Sequence, residues 1–557
     1  MKQLSGADTM FLQFEQGNNF MHVASLAIYD PSTAPGGGVR FKDVLRFFAA
    51  RVEKFPQFRR RLVSVPFALD RPYWVEESGF DVEFHVRHIA LPQPGDWRQL
   101  CIQVARLHSR PLDHSRPLWE AYVIEGLHNV EGVPPGSFAL YTKMHHSIVD
   151  GESGTEILKA LHSTSPEPIE EGEAVGGYAA DREPSLPELY TRAVVHGVQR
   201  VPALARLTLD TARRVASLGT GTLGPLGTLL KGTRNLLPQL RALATGDLGT
   251  LLPKLPPTTR FSGKVTAHRV FEAVGLPLAD LKTIRVQAGD ATLNDIFLTI
   301  VGGALNKYLA AKRELPDGSL VAMVPMTLRG ADKGGDHGNQ VGFTVMSVRS
   351  DLDDPLERLQ AIGEGARTSK RMTEAVGKEV SRDLLEYLPA PVADLLIRYV
   401  KLPGLGLIVS NVRGPDLPLY MAGAQLVHYS PVSIPVDGLG LNVTGFTYAG
   451  TMWISAVSCR EMLPDPGFFA QCLHDSFDEL REAAAALAPA ARPETRHPAR
   501  KQRTERRAPS RAKAPARKTA RRKSASRAGT RRRGRAGSGN GATAPGPSAG
   551  AAEAPEA

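Results

Sequence analysis

The chain is poor in cysteine and aromatic residues, and it contains no long hydrophobic run. Its 557 residues include three cysteines, and only 6% are Phe, Trp or Tyr. Cys101, Cys459 and Cys472 are far apart in sequence, so neither a disulfide framework nor a metal-binding spacing is indicated. The N-terminus lacks the apolar core of a secretion signal, and no uninterrupted apolar run reaches the roughly 18 residues expected of a membrane span. These absences favour a reducing compartment and a chain without a structural metal.

Positive charge is concentrated at one end of the chain. The formal net charge is +11, but residues 491–557 hold 19 Lys and Arg against 4 Asp and Glu. This segment therefore carries +15, and residues 1–490 carry −4. We expect residues 488–557 to form a disordered tail, because they have almost no large apolar side chains to bury. Such a tail can contact nucleic acid or anionic lipid nonspecifically, or it can act as a solubilising extension without a partner.

The remaining chain divides into three blocks. Residues 1–165 and 263–487 alternate between helical and strand-like patterns, which predicts an α/β fold of two similar-sized halves. The clearest predicted helices are Phe41–Phe55, Leu276–Val286 and Asn294–Leu309, and the clearest predicted strands are Trp119–Ile124, Phe138–Met144, Val341–Val348 and Thr451–Val457.

The middle block, residues 166–262, has a different composition. It begins with an acidic, Gly-rich stretch, and from residue 186 to residue 260 it carries ten Lys and Arg against three acidic residues. Its apolar residues recur at helical spacing on one predicted face, namely Leu189, Ala193, Val194, Val198, Val201 and Ala205. This spacing predicts a basic amphipathic helix interrupted at Gly197 and Pro202. Such a helix can lie on an anionic membrane or a lipid droplet. The alternative is an ordinary connector packed across the two halves.

One seven-residue motif points to chemistry. His145-His146-Ser147-Ile148-Val149-Asp150-Gly151 follows an alternating strand pattern, so consecutive side chains at its start should point to opposite faces. Only one imidazole should therefore enter a given cleft. Histidine transfers protons near neutral pH because its ordinary pKa is about 6.5. Asp150 and Gly151 are expected to form a turn before a helix that starts near Gly154. The alternative is a hydrogen-bonded structural pair.

The HHxxxDG pattern is shared by the CoA-dependent acyltransferase superfamily, and further motifs narrow the resemblance. Over about residues 1–485 the chain resembles bacterial wax ester synthase/acyl-CoA:diacylglycerol acyltransferases. The matching stretches, in family order, are Leu4-Ser5 with Asp8, Pro117-Leu118-Trp119-Glu120, the histidine motif, Asn294-Asp295, Gly338-Asn339, Ser410-Asn411-Val412 before Gly414-Pro415, and Cys459-Arg460-Glu461. Arg413 stands where the family usually has proline, which puts the conformation of that loop in question.

The resemblance implies a fold and a reaction. The fold would consist of two chloramphenicol-acetyltransferase-like halves with a tunnel between them. His146 would be the general base for direct acyl transfer from acyl-CoA to diacylglycerol or a long-chain alcohol. His145 would be its structural neighbour, and Asp150 and Gly151 would shape the loop. Acyl-CoA would be a co-substrate, and no cofactor or metal would be required. The expected location is the cytoplasm, at the inner face of the membrane or at lipid droplets.

Four further positions are candidates for the site. Asn294 could stabilise an oxyanion or orient substrate, with a helix N-cap as the equally weighted alternative. Asp295 follows it in the same motif. Trp119 is expected to be a core anchor rather than a substrate contact, and Asn411 could shape a tunnel or only a turn. Two other functions remain open, namely a condensation-type enzyme that uses carrier-protein thioesters and a noncatalytic protein associated with lipid droplets or nucleic acid.

Overall fold

The computed structural model describes residues 1–52, 54–148, 158, 161–167, 181–217, 256–289, 291–327, 341–376 and 404–487. The α-helices are α1 Gly6–Phe14, α2 Phe41–Val52, α3 Val82–His85, α4 Trp97–His108, α5 Leu186–Ser217, α6 Leu278–Gln287, α7 Leu293–Ala311, α8 Pro355–Val376 and α9 Pro466–Leu487. The strands are β1 Lys2–Gln3, β2 His22–Asp30, β3 Arg60–Val63, β4 Tyr73–Glu76, β5 Val86–Ala90, β6 Trp119–Glu125, β7 Phe138–His145, β8 Arg269–Pro277, β9 Val321–Thr327, β10 Val341–Ser347, β11 Leu405–Arg413, β12 Tyr420–Met421, β13 Ala424–Val432, β14 Leu441–Tyr448 and β15 Thr451–Cys459.

The first six-stranded sheet carries the histidine motif. Its order is β12-β13-β2-β7-β6-β5, and β7 lies between β2 and β6 with antiparallel pairing on both sides. Side chains alternate between the two faces of β7. Phe138 and Leu140 belong to the apolar cluster on one face, and Ala139 and Tyr141 belong to the cluster on the other. The end of β7 is thereby fixed inside a sheet that is covered on both faces.

The second six-stranded sheet has the order β10-β9-β11-β14-β15-β8. Helices α7, α8 and α9 pack together with it around a large apolar core. Two glycines in α7 permit this close approach, since a Cβ on Gly302 would lie 1.9 Å from the carbonyl oxygen of Val348 and one on Gly303 would lie 2.2 Å from Ser476 Oγ. A smaller sheet, β1-β4-β3, lies near the N-terminus. The predicted α/β class is confirmed.

The two sheets are linked by an exchange of strands. β12 and β13 follow most of the second half in sequence, yet β13 pairs with β2 over Gln425↔Asp30 to Val432↔Ala24. The boundary at residue 263 therefore divides the sequence into two blocks, but the first sheet contains strands from both blocks. The predicted tail, residues 488–557, lies outside the described residues. Among the described residues, no helix combines the length and hydropathy required to cross a bilayer.

Several predicted elements are present with shifted ends. The predicted helix Leu276–Val286 begins too early, because residues up to Pro277 still pair with β15 as part of β8. The predicted interruption of the basic helix is wrong, since α5 continues through Gly197 and Pro202 as one helix of 32 residues. An interior proline removes one backbone donor, and the surrounding helical bonds continue past it here.

Helix α5 also divides its apolar residues differently from the prediction. Leu189 and Ala193 are buried in a small cluster with Val65 and Tyr73. Val194 and Val198, predicted to share the same apolar face, are instead 68% and 69% exposed. One part of the helix therefore packs against the first half, and another apolar stripe points outward.

Candidate active site

The two histidines stand at the end of β7, where neighbouring strands hold their backbone. The amide of His145 donates to the carbonyl of Leu118 at 3.0 Å, and the amide of His146 donates to the carbonyl of Met21 at 2.8 Å. His145 also pairs in register with His22 on β2. The sheet therefore sets the direction of both imidazoles, as the alternation in the sequence predicts.

His145 is a buried, neutral histidine. Its side chain has no solvent exposure, and its Nδ1 accepts from the Ser147 amide at 3.0 Å and lies 2.6 Å from Ser147 Oγ. These contacts assign the ring proton to Nε2, which lies 3.7 Å from Glu15 Oε1. Burial lowers the pKa of His145 to about 3, so the ring is uncharged at neutral pH. Its contacts are those of a structural support.

His146 has a different environment, because it is only half-buried. Its ring stacks on Phe11 with a centroid distance of 4.5 Å and an interplanar angle of 10°. Stacking fixes the plane of the imidazole and leaves its edge, with the ring nitrogens, to face other groups. The two histidines thus occupy different environments, one fully buried and the other half-buried against an aromatic ring.

Helix α1 supplies contacts that the motif itself does not reveal. Ser5 caps its N-terminus by accepting from the Asp8 amide at 3.1 Å, and Ser5 Oγ also donates to Asp8 at 2.7 Å. Phe11 and Glu15 lie one helical turn apart, so they project toward the same side. The N-terminal Leu-Ser motif with Asp8 therefore starts the helix that brings an aromatic ring to His146 and a carboxylate to His145.

Glu15 joins three parts of the site. Its Oε1 accepts from the Met21 amide at 2.8 Å, and its Oε2 lies 2.7 Å from His114 Nε2. Burial acts to raise the pKa of Glu15, but the His114 hydrogen bond, the neighbouring His145 ring and the Met21 amide outweigh it and lower the pKa. The hydrogen bond to Glu15 raises the pKa of His114. No local pattern in the sequence singles out Glu15, His114 or Phe11, since their relation to the motif exists only after folding.

Asp150 and Gly151, the remaining predicted residues of the motif, lie outside the described residues. So do Gly154, at the predicted helix start, and Gly338-Asn339. Their predicted contributions to the turn and to the loop around His146 stay predictions.

Asn294 and Asp295 lie in the first turn of α7. The helix is capped by Thr292, whose Oγ1 accepts from the Asp295 amide at 3.1 Å, while the Asp295 carboxylate accepts from the Thr292 amide at 2.8 Å. The capping alternative for Asn294 is therefore wrong, because Thr292 already occupies the N-cap. Asp295 is buried and completes a capping box. Asn294 is half-buried at the second helical position.

Trp119 lies in the core of the first half. It is fully buried, its indole Nε1 donates to the carbonyl of Phe58 at 2.8 Å, and its ring stacks on His85 at 4.6 Å. It also pairs with Met144 across β6 and β7. This position anchors the strand next to the histidine motif and gives the indole no open side for substrate.

Asn411 lies near the end of β11 and is half-buried. A Cβ on Gly445 would come within 3.5 Å of Asn411 Oδ1 and 3.2 Å of the Phe297 ring, so Asn411 neighbours the first turns of α7. Val412, the next residue, packs against the same apolar cluster as Ile148 of the histidine motif. The structure thus brings Asn411 near the helix that carries Asn294, and it links this region to the first half through apolar packing.

The unusual Arg413 ends β11 without disturbing it. It keeps strand register with Thr447 of β14, and its exposed guanidinium lies 3.2 Å from Asp416. Gly414 follows, and a Cβ there would lie 2.2 Å from the carbonyl oxygen of Thr447. The close approach at this loop therefore depends on the glycine, and the arginine replaces the usual proline at the surface.

An apolar cavity adjoins the histidine motif on the opposite face of the first sheet from His145. Its walls come from β2, β7 and the segment that carries Leu158, with Tyr29 bonded to His162 at 2.7 Å. The lining residues are Ser25, Ala27, Tyr29, Leu140, Thr142, Met144, Leu158, Leu161, His162, Met421 and Tyr429. Met144 brings this lining to within two residues of His146.

Comparison with known proteins identifies the family. The sequence model for the wax ester synthase/diacylglycerol acyltransferase catalytic domain matches residues 4–297, and the model for the C-terminal domain of the same family matches residues 337–481. The chain belongs to this family. Its catalytic-domain match includes the whole histidine motif, the N-terminal motif and Asn294.

Individual relatives cover nearly all of the chain apart from its tail. A Mycobacterium tuberculosis protein named as a diacylglycerol O-acyltransferase is 33% identical over 486 residues, which is 86% of this chain and 99% of that protein. The M. tuberculosis protein tgs2, also named as a diacylglycerol O-acyltransferase, is 30% identical over 483 residues, 86% of this chain and 98% of that protein.

Solved structures confirm the fold in two halves. The wax ester synthase/diacylglycerol acyltransferase of Marinobacter aquaeolei VT8 superposes with a TM-score of 0.60 at 26% identity, covering 87% of this chain and all of that one. The first condensation domain of the calcium-dependent antibiotic synthetase superposes with a TM-score of 0.51 at 14% identity, covering 88% and 98% of the two chains. The second likeness is one of fold alone.

Proposed function

We propose that the chain transfers a fatty acyl group from acyl-CoA to the hydroxyl of diacylglycerol, forming triacylglycerol, and to long-chain alcohols, forming wax esters. The observation that carries the proposal is the unequal histidine pair at the end of β7. His145 is buried and neutral, and His146 is half-buried with its ring fixed by Phe11. A chain of this family with such a pair has the geometry for one general base.

The proposed chemistry uses His146 twice. Its imidazole takes the proton from the acceptor hydroxyl, whose oxygen forms a bond to the thioester carbon. The tetrahedral oxyanion then collapses, the carbon–sulfur bond breaks, and the imidazolium returns the proton to the CoA thiolate. Proton transfer by a positioned side chain contributes typically 10²–10⁴-fold to the rate. In this proposal acyl-CoA is a co-substrate, and neither a cofactor nor a metal takes part.

We propose that Asn294 assists at the oxyanion. It lies at the positive end of α7, and the adjacent Asp295 is already committed to the helix cap. A preorganised amide and a helix N-terminus both favour developing negative charge. Asn411, beside the same helix, is proposed to shape the substrate path.

We further propose that the chain works at the cytoplasmic face of the membrane or at lipid droplets, where these acceptors are found. Helix α5 supports this location, because its sequence holds five arginines against Glu188 and Asp210. The basic tail would add nonspecific attraction to anionic lipid or to nucleic acid.

The test is an assay of the purified full-length chain with labelled palmitoyl-CoA and either dioleoylglycerol or hexadecanol. Labelled triacylglycerol or wax ester is expected, and the ratio of the two products identifies the preferred acceptor. His146→Ala should lose both products. His128→Ala, at an exposed histidine outside the motif, is the matched control and should retain both. If the folded parent chain forms no ester with dioleoylglycerol and none with hexadecanol, the proposal is refuted.

A further inference from the structure

Helix α5 is fixed to the first half of the molecule by a buried ionic cluster. The Asp70 carboxylate, whose side chain is 1% exposed, accepts from Arg200 at 2.6 Å and from Gln3 at 2.6 Å, and it lies 2.7 Å from His196 Nδ1. Arg200 is itself only 12% exposed. Because one carboxylate holds two residues on successive turns of the helix, the rotation of α5 about its axis is determined.

The docked face leaves the opposite side of the helix apolar. At about 100° per residue, Ala193, His196 and Arg200 lie within about 40° of Leu189 around the helix axis. Tyr190, Val194 and Val198 form a second row at i, i+4 and i+8, on average about 140° from the first. These three side chains are 38%, 68% and 69% exposed, and Leu186 and Val195 beside them are 60% and 46% exposed. Scattered exposed valines are ordinary, but a continuous row facing away from the anchor is not.

A protruding turn next to this helix adds to the apolar surface. Phe67 and Leu69 are 86% and 49% exposed. Val65, just before the turn, packs with Leu189, and Asp70, just after it, binds the helix. The turn is therefore held beside α5 at both ends. Phe67 has φ of 57°, a left-handed conformation that non-glycine residues rarely adopt, so the chain presents an aromatic ring to solvent at a conformational cost.

We propose that Phe67, Leu69 and the outward row Tyr190-Val194-Val198 form one lipid-docking face that inserts into an anionic membrane surface. This inference rests on the proposed function and names the surface by which that function would reach its acceptor. Charge complementarity favours this occupant, because the sequence of α5 continues beyond the row with Arg206, Arg213 and Arg214 against Asp210, whereas Arg192 and Arg200 are paired with Glu188 and Asp70. A helix that combines an apolar face with net positive charge matches the chemistry of an anionic lipid interface.

The face differs from the one that the sequence predicts for this helix. The apolar spacing predicts Leu189 and Ala193 on the lipid-facing side, but they pack against protein. The docking row is displaced around the helix toward Val194 and Val198, and a turn more than a hundred residues earlier in the sequence joins it. The ionic anchor at Asp70 explains the displacement, because it determines which side of α5 faces outward.

The proposal is tested by binding of the full-length chain to vesicles of phosphatidylcholine with phosphatidylglycerol. The test variant is Phe67→Asn/Val194→Gln/Val198→Gln. Asn tolerates a left-handed backbone and Gln favours helix, so these changes should preserve the fold. The matched control is Val286→Gln, which alters an 81% exposed valine on α6. We expect the triple variant to bind at least about tenfold more weakly, since burial of several large apolar side chains is lost, and the control to bind as the parent does.

Activity separates this inference from the proposed function. With a water-dissolved short-chain alcohol as acceptor, the triple variant should match the parent, whereas with diacylglycerol embedded in vesicles it should be several-fold slower. If the parent binds vesicles through this face but makes no ester, the proposed function fails and the docking face stands. Equal vesicle binding by the triple variant and the parent overturns the docking face. A parent that binds no vesicles also overturns it.

Discussion

Replacing Glu15 with glutamine tests whether the network behind the histidines supports catalysis. Glutamine keeps the length of the side chain and one acceptor oxygen, so the Met21 amide can still be satisfied. The charge is lost, and with it the charge-assisted contact to His114 at 2.7 Å and the attraction to His145 Nε2 at 3.7 Å. We expect Glu15→Gln to weaken the contacts that hold the histidines while leaving a side chain of the same length in place.

The expected loss of stability is small and depends on pH. A hydrogen bond to a charged group contributes about 1.5–3 kcal/mol, but His114 is 45% exposed and solvent replaces part of that contact. We therefore expect the free energy of unfolding to fall by about 1–2 kcal/mol. The stabilisation from the lowered pKa of Glu15 is present above its unfolded value near 4.5 and is lost as the pH falls through the folded pKa. The stabilisation from the raised pKa of His114 is present below about 6.5 and is lost as the pH rises through its folded pKa.

The stability difference between parent and Glu15→Gln should thus be largest near pH 5–6 and should shrink toward pH 9. Urea denaturation at three pH values measures it directly. Activity should fall as well, because a neutral glutamine binds the Met21 amide more weakly than a carboxylate does, and the carbonyl of Met21 binds the amide of His146. A loss of about 1 kcal/mol of positioning corresponds to a fall of about fivefold in kcat, with a smaller change in KM for acyl-CoA.

The matched control is Glu461→Gln. Glu461 also pairs with a histidine, His268, at 3.2 Å, but both side chains are more than half exposed and neither belongs to the site. We expect this control to change stability by less than about 0.5 kcal/mol and to leave kcat unchanged. If Glu15→Gln matches Glu461→Gln in both stability and kcat, the network does not support the histidines.

Two further predictions concern stability and the role of Asp295. Burial lowers the pKa of three histidines, His108, His145 and His428, to about 3. The stability that depends on their neutral forms is therefore complete above about pH 6.5 and is lost as the pH falls. The free energy of unfolding should decrease by several kcal/mol between pH 7 and pH 5, and equal values at the two pH values would contradict the assignment. Asp295→Ala removes the contact to the Thr292 amide and should cost about 1 kcal/mol in thermal or urea unfolding with kcat nearly unchanged, whereas a large fall in kcat at retained stability would show that Asp295 contacts substrate.

The sequence predicts local features of this molecule well. Alternation along β7 predicts the strand and the divergence of His145 and His146, because side-chain direction in a strand follows from spacing alone. The expectation that Trp119 is a core anchor agrees with its full burial and its bond to Phe58. Alternating helical and strand-like patterns predict the α/β class. The family motifs predict the fold in two halves, because their order along the chain identifies a family whose members share that fold.

Features that depend on distant contacts are not predicted. Glu15 and His114 lie 99 residues apart and meet only because α1 packs beside the end of β7. Helix α5 shows the same limit, since its apolar spacing does not reveal which residues face the protein. Asp70, more than a hundred residues away, decides that question by binding His196 and Arg200. The exchange of β13 into the first sheet likewise follows from tertiary pairing.

The rate of acyl transfer by His146→Ala tests the assignment of the general base most directly. The variant should be folded, as judged by an unfolding transition close to that of the parent, and His146→Gln provides a second variant if loss of the Phe11 stack lowers stability. Measured as kcat with saturating palmitoyl-CoA and the preferred acceptor, activity should fall by about 10²–10⁴-fold in both variants. A folded variant that retains kcat within about threefold of the parent would contradict the role of His146 as the base.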